Sequence, residues 1–468
     1  MLFWVLVIVA AILASEAFVR LPVLQKIGTV AATSRKAMKL VRSARVSDHW
    51  KERILPVYAL KIGMGSVSFF LLLCAALLPV LLAGLLYPPG LSAWSHALLS
   101  PLVIVILCAV SLGYIWLRQK ARTDKAVSDY SALDQMLHRL ALGSPAVAEM
   151  SHDLERGMFL KSSPPDTGNH VFVTGLARAG TTILMREIYR TGQFGSLTYA
   201  DMPFVLAPNL WSRLSSKGAT AGTRAERAHG DGIEVDTQSP EALDEVYWRT
   251  FDGQSYIGAD GLSPHAPDAD LIAGYRDLIR LILRRTGKPR YVAKNNNNIL
   301  RLPALASAMP DAQFLIPLRD PLTHAASLLN QHERFLKSDP FVRDYMTWLG
   351  HHEFGATHRP FLFDGKPEGD PATLDYWLRA WIAAYGALDR AEAGHANVTF
   401  VPYEALSADP AVWQAVARRI GVEPGPATEL RTVKDKAPGR HDPTLAESAR
   451  ALHARLAARG FAKLGLPH

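Results

Sequence analysis

The longest uncharged stretch of the chain, residues 62–117, constrains the fold more than any other feature. It contains no Asp, Glu, Lys or Arg, and its two apolar blocks, roughly 62–87 and 97–117, flank a Tyr-Pro-Pro-Gly break at 87–90. Each block reaches the about 20 residues that a helix needs to cross a hydrocarbon layer. Two buried helices of a soluble core would ordinarily carry charge on their solvent side. We therefore expect a transmembrane helical hairpin over residues 59–117.

Basic residues border this stretch on both sides. From 20 to 53 there are nine Lys or Arg against two acids, and four more Lys or Arg lie between 118 and 125. Because cytoplasmic flanks carry the excess of Lys and Arg, both ends of the hairpin are predicted to face the cytoplasm. Residues 20–58 are predicted to lie on the membrane surface as a basic amphipathic segment attracted by acidic headgroups. The sequence thus predicts an integral protein of the inner (cytoplasmic) membrane with a cytoplasmic C-terminal domain.

The N-terminal residues are also apolar. Residues 2–15 are short for a span and lack the basic start of a secretory signal, which favours a membrane anchor helix within 1–19 over a cleaved peptide. Whether this helix spans the membrane or lies in its interface stays open. The only two cysteines, Cys74 and Cys108, lie in the arms of the hairpin, so the rest of the chain fits a reducing compartment without structural disulfides.

The remaining chain has an α/β pattern. Residues 118–167 read as a helical connector that ends in a linker at 161–169, and residues 168–468 as one domain. Short apolar runs alternate there with helical patterns, which predicts a parallel sheet flanked by helices. The predicted strands are 171–175, 291–294, 312–318 and 397–403, and the helices that follow three of them are 180–191, 322–336 and 409–420. Residues 212–270 are expected to form insertions over the carboxyl edge of the strands, where ligands bind in such sheets.

A turn of small residues, GLARAGTT at 175–182, follows the first predicted strand. Its glycines allow the tight turn of a phosphate-binding loop, in which backbone N–H groups and a helix N-terminus surround an anion. An ATP-binding loop has Gly-Lys-Ser/Thr at its end, whereas this chain has Gly180-Thr181-Thr182. The missing lysine argues against a triphosphate, and the loop alone is equally compatible with a plain strand-to-helix turn.

A second motif follows the predicted strand 312–318. It reads Arg319-Asp320-Pro321, and Ser327 comes eight residues after the arginine, inside the helix that the proline begins. An arginine at the end of a strand and a serine two helical turns later can converge on one phosphate. The alternative is a surface Arg–Asp pair beside an unrelated serine.

Together the two motifs resemble the sulfotransferases that use 3′-phosphoadenylyl sulfate (PAPS). The resemblance covers roughly 168–422, including GLARAGTTIL at 175–184, the segment 294–329, YWLRAW at 376–381 and 401–422. It is closest to the P-loop-like bacterial and Golgi-type branch with Arg in the first loop. The resemblance implies PAPS as co-substrate without a metal, with the 3′-phosphate on Arg319 and Ser327. It implies that the 5′-phosphosulfate is held by Gly175, Arg178, Ala179, Gly180, Thr181 and Thr182.

The sequence offers several candidates for the proton acceptor. Part of the family has a His shortly after a Lys, but here Lys294 is followed by four asparagines, 295–298, which form either a turn or a substrate contact. Lys294 remains a candidate for assisting the sulfonate. The predicted base is Glu241 or Glu245, on one face of a helix expected to begin at Ser239 and Pro240, with capping and solvation as the alternative role.

Other residues are kept as secondary candidates. His265, His324 and His332 are reserve bases that more plausibly serve packing. Lys434, Lys436 and Arg440 either close over the 3′-phosphate or form a solvated basic tail.

The predicted function is therefore a membrane-anchored PAPS-dependent sulfotransferase. Its acceptor would be a hydroxyl, or less readily an amine, of a lipid, glycolipid or saccharide. The alternatives are a P-loop kinase-like phosphotransferase and a non-catalytic nucleotide-binding membrane scaffold. The basic cluster lacks interleaved aromatic residues and borders a membrane segment, which argues against nucleic acid as a partner. The acceptor's identity and the oligomeric state are left open.

Overall fold

A computed structural model of the protein describes residues 2–23, 48–123, 132–215, 238–425 and 439–467, with a few isolated positions between them. The chain divides into two compact units, Met1–Val147 and Ala148–His468. The second unit begins earlier than the domain start expected at 168. The helix that opens it is tied to later elements, because Glu155 accepts hydrogen bonds from both the backbone and the side-chain nitrogen of Asn209, at 2.8 and 2.7 Å.

The first unit is helical. Its helices are α1 (Leu2–Arg20), α2 (Asp48–Leu85), α3 (Leu91–Leu98), α4 (Pro101–Thr123) and α5 (Ala132–Ala141). Within the described residues, α1 and the part of α2 from Ile54 are long and apolar enough to cross a membrane. The pair of α3 and α4 is bent by 80° and would be a third span if counted as one. The predicted break at 87–90 separates α2 from α3, whereas the bend inside the second arm was not predicted.

Two clusters fix the direction of α1 against its neighbours. At one end the rings of Phe3, Tyr87 and Trp94 lie 5.5 to 5.6 Å apart. At the other end Glu16 accepts hydrogen bonds from Tyr114 at 2.7 Å and from Arg118 at 2.5 Å. Helix α1 therefore runs parallel to α4 and antiparallel to α2. Within the predicted amphipathic segment 20–58 the structure describes 20–23, 48–58 and isolated positions between them, and α2 begins within it at Asp48.

The second unit is an α/β domain. Its helices are α6 (Pro145–Phe159), α7 (Thr181–Arg190), α8 (Pro208–Ser215), α9 (Glu245–Tyr256), α10 (Ala269–Thr286), α11 (Leu302–Ala308), α12 (Pro321–Leu336), α13 (Pro340–Trp348), α14 (Leu374–Ala393), α15 (Tyr403–Ala408), α16 (Pro410–Arg419) and α17 (Pro443–Leu464). Its strands are β1 (Val171–Val173), β2 (Phe194–Gly195), β3 (Ala225–Glu226), β4 (Glu234–Val235), β5 (Arg290–Lys294), β6 (Gln313–Leu318) and β7 (Val398–Pro402).

Five of these strands form one parallel sheet in the order β2-β5-β1-β6-β7. The central strand β1 pairs with β5 on one side and β6 on the other, so that Phe172 lies opposite Ala293 and Phe314. All three residues of β1 are fully buried, as expected for a parallel strand covered on both faces. The predicted α/β fold with a helix-flanked parallel sheet is confirmed. The carboxyl ends of β5, β1 and β6 are neighbours, which brings the segments after them to one edge.

Three local predictions were wrong. Residues 239–244 do not begin a helix, because Pro240 pairs with Thr198 in an isolated bridge and the helix begins only at Glu245. Residues 161–169 do not link two separate units, because the residues on both sides belong to the unit Ala148–His468, and Arg280 Nε donates to the Pro164 carbonyl at 2.9 Å. Part of 212–270 is core rather than insertion, as the fully buried Trp248 on α9 shows, although 216–224, 227–233 and 236–237 lie outside the described residues.

Candidate active site

The loop between β1 and α7 has the backbone of an anion-binding turn. Gly175 and Gly180 have φ values of 142° and 97°, and Arg178, at 70°, is the only non-glycine residue with positive φ in the described part of the chain. A Cβ on Gly180 would lie 2.3 Å from the Tyr403 ring, so a glycine is required there for space as well as for conformation. Thr181 begins α7, whose first N–H groups have no intrahelical acceptor and point toward the loop.

The loop is joined directly to the Arg-Asp-Pro segment. Arg178 Nε donates to Ser327 Oγ at 3.3 Å, and Arg319 Nη1 donates to the Arg178 carbonyl at 3.2 Å. Arg319 follows β6, the sheet neighbour of β1, and its residue is 8% exposed. The two motifs therefore form one basic site at the edge of the sheet, as the sequence required for a shared ligand.

Asp320 has a local role in this site. Its carboxylate accepts from Thr323 N at 2.9 Å and caps the N-terminus of α12, while its own N–H donates to Glu404 at 2.9 Å. Pro321 occupies the first helical position, where a missing N–H is tolerated. The aspartate thus orients the helix that carries Ser327.

Glu241 and Lys294 lie together at the adjacent strand end. Lys294 Nζ is 3.9 Å from Glu241 Oε1, and each residue is 8% exposed. Tyr199 OH donates to Glu241 Oε2 at 2.9 Å, and the Ala242 N–H donates to Oε1 at 2.9 Å. A carboxylate held by one hydroxyl, one N–H and a nearby ammonium is ordered, and its slight exposure leaves room for an approaching hydroxyl group.

Glu245 has different surroundings. Arg301 Nη2 donates to both of its oxygens, at 2.8 and 2.6 Å, Asn295 Nδ2 donates at 2.8 Å, and Tyr256 OH also donates. Glu245 and Arg301 are 1% and 0% exposed, and the Arg301 guanidinium lies 4.7 Å above the Trp248 ring. Both carboxylate oxygens are engaged in a buried ion pair, so the geometry favours Glu241 over Glu245 as the base and gives Glu245 a structural role.

The four asparagines form a turn packed on its neighbours. Asn295 Oδ1 accepts from Asn297 N at 3.0 Å, as a cap of the 3₁₀ turn Asn296–Leu300. Asn296 Nδ2 donates to Glu353 at 2.9 Å, and Asn297 Nδ2 donates to the Gly350 carbonyl at 2.9 Å. The amide groups of these three side chains therefore hold protein groups around the end of β5, which supports the turn interpretation.

The reserve histidines are packed. Burial lowers the pKa of His265 to about 4, and the ring stacks on Tyr256 with centroids 4.7 Å apart. Burial also lowers the pKa of His332, whose Nδ1 accepts from the Gly355 N–H at 3.2 Å. His324 is fully buried, and burial lowers its pKa to about 3. These surroundings favour neutral, structural histidines rather than bases.

Of the three basic residues predicted near the C-terminus, only one can be placed. Lys434 and Lys436 lie outside the described residues, and Arg440 is exposed in a bend before α17. Their proposed closure over the 3′-phosphate stays a prediction.

Several residues of the site were not predicted individually. Tyr403 and Trp381 lie in two of the four segments that carry the family resemblance, 401–422 and 376–381, and that was the signal for them. Arg301 lies in the segment 294–329 of the same resemblance, although its role there was not predicted. Tyr199 gave no signal, because a tyrosine outside a motif is indistinguishable from an ordinary surface residue until the fold brings it to a carboxylate.

The fold and the site together define an α/β protein with a P-loop-like anion site at the carboxyl edge of a parallel sheet. The sequence model of the Sulfotransferase family matches residues 170–423, just over half of the chain. The protein therefore belongs to the sulfotransferase family.

Solved structures of low sequence identity were also found. The chain is similar to the sulfotransferase STF1 from Mycobacterium tuberculosis H37Rv, with 15% identity, a TM-score of 0.40 and coverage of 73% of this chain and 86% of that one. It is also similar to the sulfotransferase STF9 from Mycobacterium avium, with 14% identity, a TM-score of 0.38 and coverage of 67% of this chain and 75% of that one. A sulfotransferase from Alicyclobacillus acidocaldarius has 16% identity and a TM-score of 0.30, with coverage of 65% of this chain and 98% of that one. A comparison with curated proteins gave no match.

Proposed function

We propose that this sulfotransferase moves the sulfonate group of PAPS to a hydroxyl group, or less readily an amine, of a lipid, glycolipid or saccharide at a membrane. The observation that carries the donor assignment is the Arg178–Ser327 hydrogen bond, which joins the loop to the Arg-Asp-Pro helix. PAPS carries anionic groups at both the 5′ and the 3′ position of one ribose. A single site with a basic group from each motif matches that distribution of charge.

The residues present fit such a donor. The loop would hold the 5′-phosphosulfate with backbone N–H groups and hydroxyls of Gly175, Ala179, Gly180, Thr181 and Thr182. Tyr403 fills the space beside Gly180, so the backbone of Gly180 is the part of that residue that would contact the donor. Arg178 would neutralise the charge that develops on the leaving 5′-phosphate. Arg319 and Ser327 would hold the 3′-phosphate. The donor supplies an activated sulfur whose bond to the phosphate oxygen breaks during transfer.

Glu241 is the proposed general base. It accepts the proton of the acceptor hydroxyl while the acceptor oxygen forms its bond to sulfur and the bond from sulfur to the 5′-phosphate oxygen breaks. Lys294, 3.9 Å from Glu241 at the end of β5, would stabilise the sulfonate oxygens or the bridging oxygen. Tyr199 orients the carboxylate by its hydrogen bond to Oε2. Glu245 supports this arrangement because it accepts a hydrogen bond from Asn295, the residue after Lys294.

The helical unit supports membrane anchoring. The basic flanks favour a cytoplasmic position for the C-terminal end of α4 and the start of α2, and α1 runs parallel to α4. The N-terminus of α1 would then lie on the outer side of the inner membrane, with three crossings in all. An anchored enzyme is suited to an acceptor that is itself in the membrane, which motivates the lipid or lipid-linked acceptor.

The experiment that tests the function is a transfer assay. Membranes containing the protein, or its Arg178→Ala variant, are incubated with ³⁵S-labelled PAPS and lipid extract, and the products are separated into lipid and water-soluble fractions. Label that appears in one fraction only with the wild-type protein supports the proposal and identifies the acceptor class. Label in no fraction, or equal label with Arg178→Ala, contradicts it and favours the alternative of a non-catalytic scaffold.

A further inference from the structure

A buried histidine lies within hydrogen-bond distance of the loop between β1 and α7. His324 lies on α12, one turn before Ser327, and is fully buried. Its Nε2 lies 2.8 Å from the carbonyl oxygen of Ala177, and its Nδ1 accepts a hydrogen bond of 3.1 Å from Trp381 Nε1 on α14. The three groups form a continuous chain from a core helix to the loop.

The hydrogen bonds that join Trp381, His324 and Ala177 allow only one consistent arrangement of protons. The indole N–H of Trp381 can only donate, so Nδ1 of His324 must be the acceptor. A neutral imidazole then carries its proton on Nε2, and that proton is donated to the Ala177 carbonyl. Burial keeps the ring neutral by lowering its pKa. Trp381 therefore fixes the tautomer in which His324 can hold the loop.

The effect on the loop follows from peptide geometry. A peptide unit is planar and trans, so turning the Ala177 carbonyl toward His324 directs the Arg178 N–H to the opposite side. The next peptide unit is held by Arg319, which donates to the Arg178 carbonyl at 3.2 Å. Both peptide planes that flank Arg178 are thus fixed by side chains. This is the one non-glycine residue of the described chain with positive φ, a conformation that is maintained only by its surroundings.

Trp381, at the other end of these hydrogen bonds, is also held in place. Trp381 stacks on Tyr385 with centroids 4.4 Å apart, and Tyr385 OH donates to the Pro317 carbonyl at 2.9 Å. Pro317 lies in β6, two residues before Arg319. Helix α14 is therefore tied to the end of the strand that supplies one half of the site and, through His324, to the loop that supplies the other.

We propose that His324, with its tautomer fixed by Trp381, is a positioning residue that sets the backbone of Arg178 for binding the 5′-phosphosulfate of the donor. The proposal rests on the proposed function. It assigns the effect to the 5′ end of the nucleotide, because His324 contacts the loop peptide, whereas the 3′-phosphate is assigned to Arg319 and Ser327. Removal of His324 should therefore weaken ligands that reach the loop and spare ligands that do not.

The test is calorimetric binding to the purified full-length protein in lipid nanodiscs. The probes are adenosine 3′,5′-bisphosphate, which reaches both ends of the site, and adenosine 3′-monophosphate, which lacks the 5′ group. His324→Leu removes the donor, and we expect the Kd for the bisphosphate to rise about tenfold while the Kd for the monophosphate changes less than about twofold. His324→Gln keeps an N–H donor and should recover most of the lost affinity. Trp381→Phe should give an intermediate loss, since the imidazole can then adopt either tautomer.

The outcomes separate this inference from the function on which it rests. If the wild-type protein does not bind the bisphosphate, the proposed function fails and the inference fails with it. If the wild-type protein binds and His324→Leu binds equally well, or loses affinity for both probes to the same extent, His324 has only a packing role and the inference alone is overturned. Should His324→Leu not fold, Trp381→Phe decides the question: a selective loss for the bisphosphate supports the inference, and an equal change for both probes, or no change, overturns it.

Discussion

Arg178 and Ser327 are 149 positions apart in the chain, yet Arg178 Nε donates to Ser327 Oγ at 3.3 Å. One residue comes from the loop after β1 and the other from the helix after β6. Because these strands are neighbours in a parallel sheet, their following segments meet at the same edge. The contact places the groups proposed for the 5′ and 3′ ends of the nucleotide within one site.

Ser327→Ala should weaken binding of adenosine 3′,5′-bisphosphate by about ten- to hundredfold, because a hydroxyl hydrogen bond to the charged 3′-phosphate is lost. The same variant should weaken adenosine 5′-monophosphate less, because that nucleotide loses only the restraint that Ser327 Oγ places on Arg178 Nε. Titration calorimetry with both nucleotides measures the difference. Ser448→Ala is the matched control, since Ser448 is exposed on α17 and donates only to its own helix, at Thr444. A similar loss for both nucleotides would contradict the assignment of Ser327 to the 3′-phosphate.

Glu241→Gln and Glu245→Gln should have opposite consequences. Loss of a general base lowers kcat by about 10²- to 10⁴-fold, so Glu241→Gln should reduce turnover while the protein keeps its resistance to urea. Glu245→Gln breaks a buried ion pair and should destabilise the protein by about 3 kcal/mol, because Arg301 is left without its counter-charge. Urea unfolding in detergent and initial rates of sulfonate transfer are measured for both variants. A stable, inactive Glu245→Gln beside an active Glu241→Gln would reverse the two roles.

Gly180→Ala should abolish donor binding, and Gly192→Ala should not. Both glycines have left-handed backbones, with φ values of 97° and 75°, so either alanine carries a similar conformational penalty. Only at position 180 would the new Cβ meet another residue, the Tyr403 ring at 2.3 Å, whereas nothing lies within 4 Å at Gly192. The dissociation constant of the bisphosphate is compared in the two variants. Equal binding by both would show that the loop tolerates a displaced Tyr403.

The stability contributed by His324 should depend on pH. Its pKa is about 3 in the folded protein and near 6.5 when unfolded, because burial and the nearby charges of Arg319, Arg178 and His453 disfavour the protonated ring. As the pH falls below 6.5, the unfolded state therefore binds a proton at His324 before the folded state does. The stability that the neutral, buried His324 contributes is progressively lost toward pH 3. Relative to His324→Gln, the wild-type protein should lose about 1.4 kcal/mol per pH unit between pH 6 and about 4. Urea midpoints at several pH values test this, and a constant difference between the two proteins would contradict it.

The sequence predicted the sheet because its strands are continuous apolar runs, such as 312–318, that end in motif residues. It predicted the two halves of the anion site only when they were taken together, because each motif alone has an ordinary alternative, a strand-to-helix turn or a surface Arg–Asp pair. It did not predict the helix start at Glu245, since Ser239-Pro240 has the local pattern of a helix N-terminus but is held in a bridge with Thr198. Tertiary pairing overrode a local signal there.

The roles of the two glutamates were also beyond the sequence. Their spacing suggests one helical face, but Glu241 lies before the helix and Glu245 at its first residue. What separates them is the partner that the fold supplies, which is Arg301 for Glu245 and Tyr199 with Lys294 for Glu241. Such long-range pairing of buried charges has no periodicity that a sequence could display.

The central claim is that Arg178 and Arg319 hold the two ends of one nucleotide, and it is tested most directly by binding measurements on the full-length protein. The ligands are adenosine 3′,5′-bisphosphate, adenosine 5′-monophosphate and ATP with Mg²⁺. We expect the wild-type protein to bind the bisphosphate most tightly of the three ligands. Arg319→Ala should lower the affinity for the bisphosphate to that for the 5′-monophosphate. Arg178→Ala should weaken the binding of both the bisphosphate and the 5′-monophosphate. Tighter binding of ATP with Mg²⁺ than of the bisphosphate, with no effect of Arg319→Ala, would contradict the account and favour a kinase-like site.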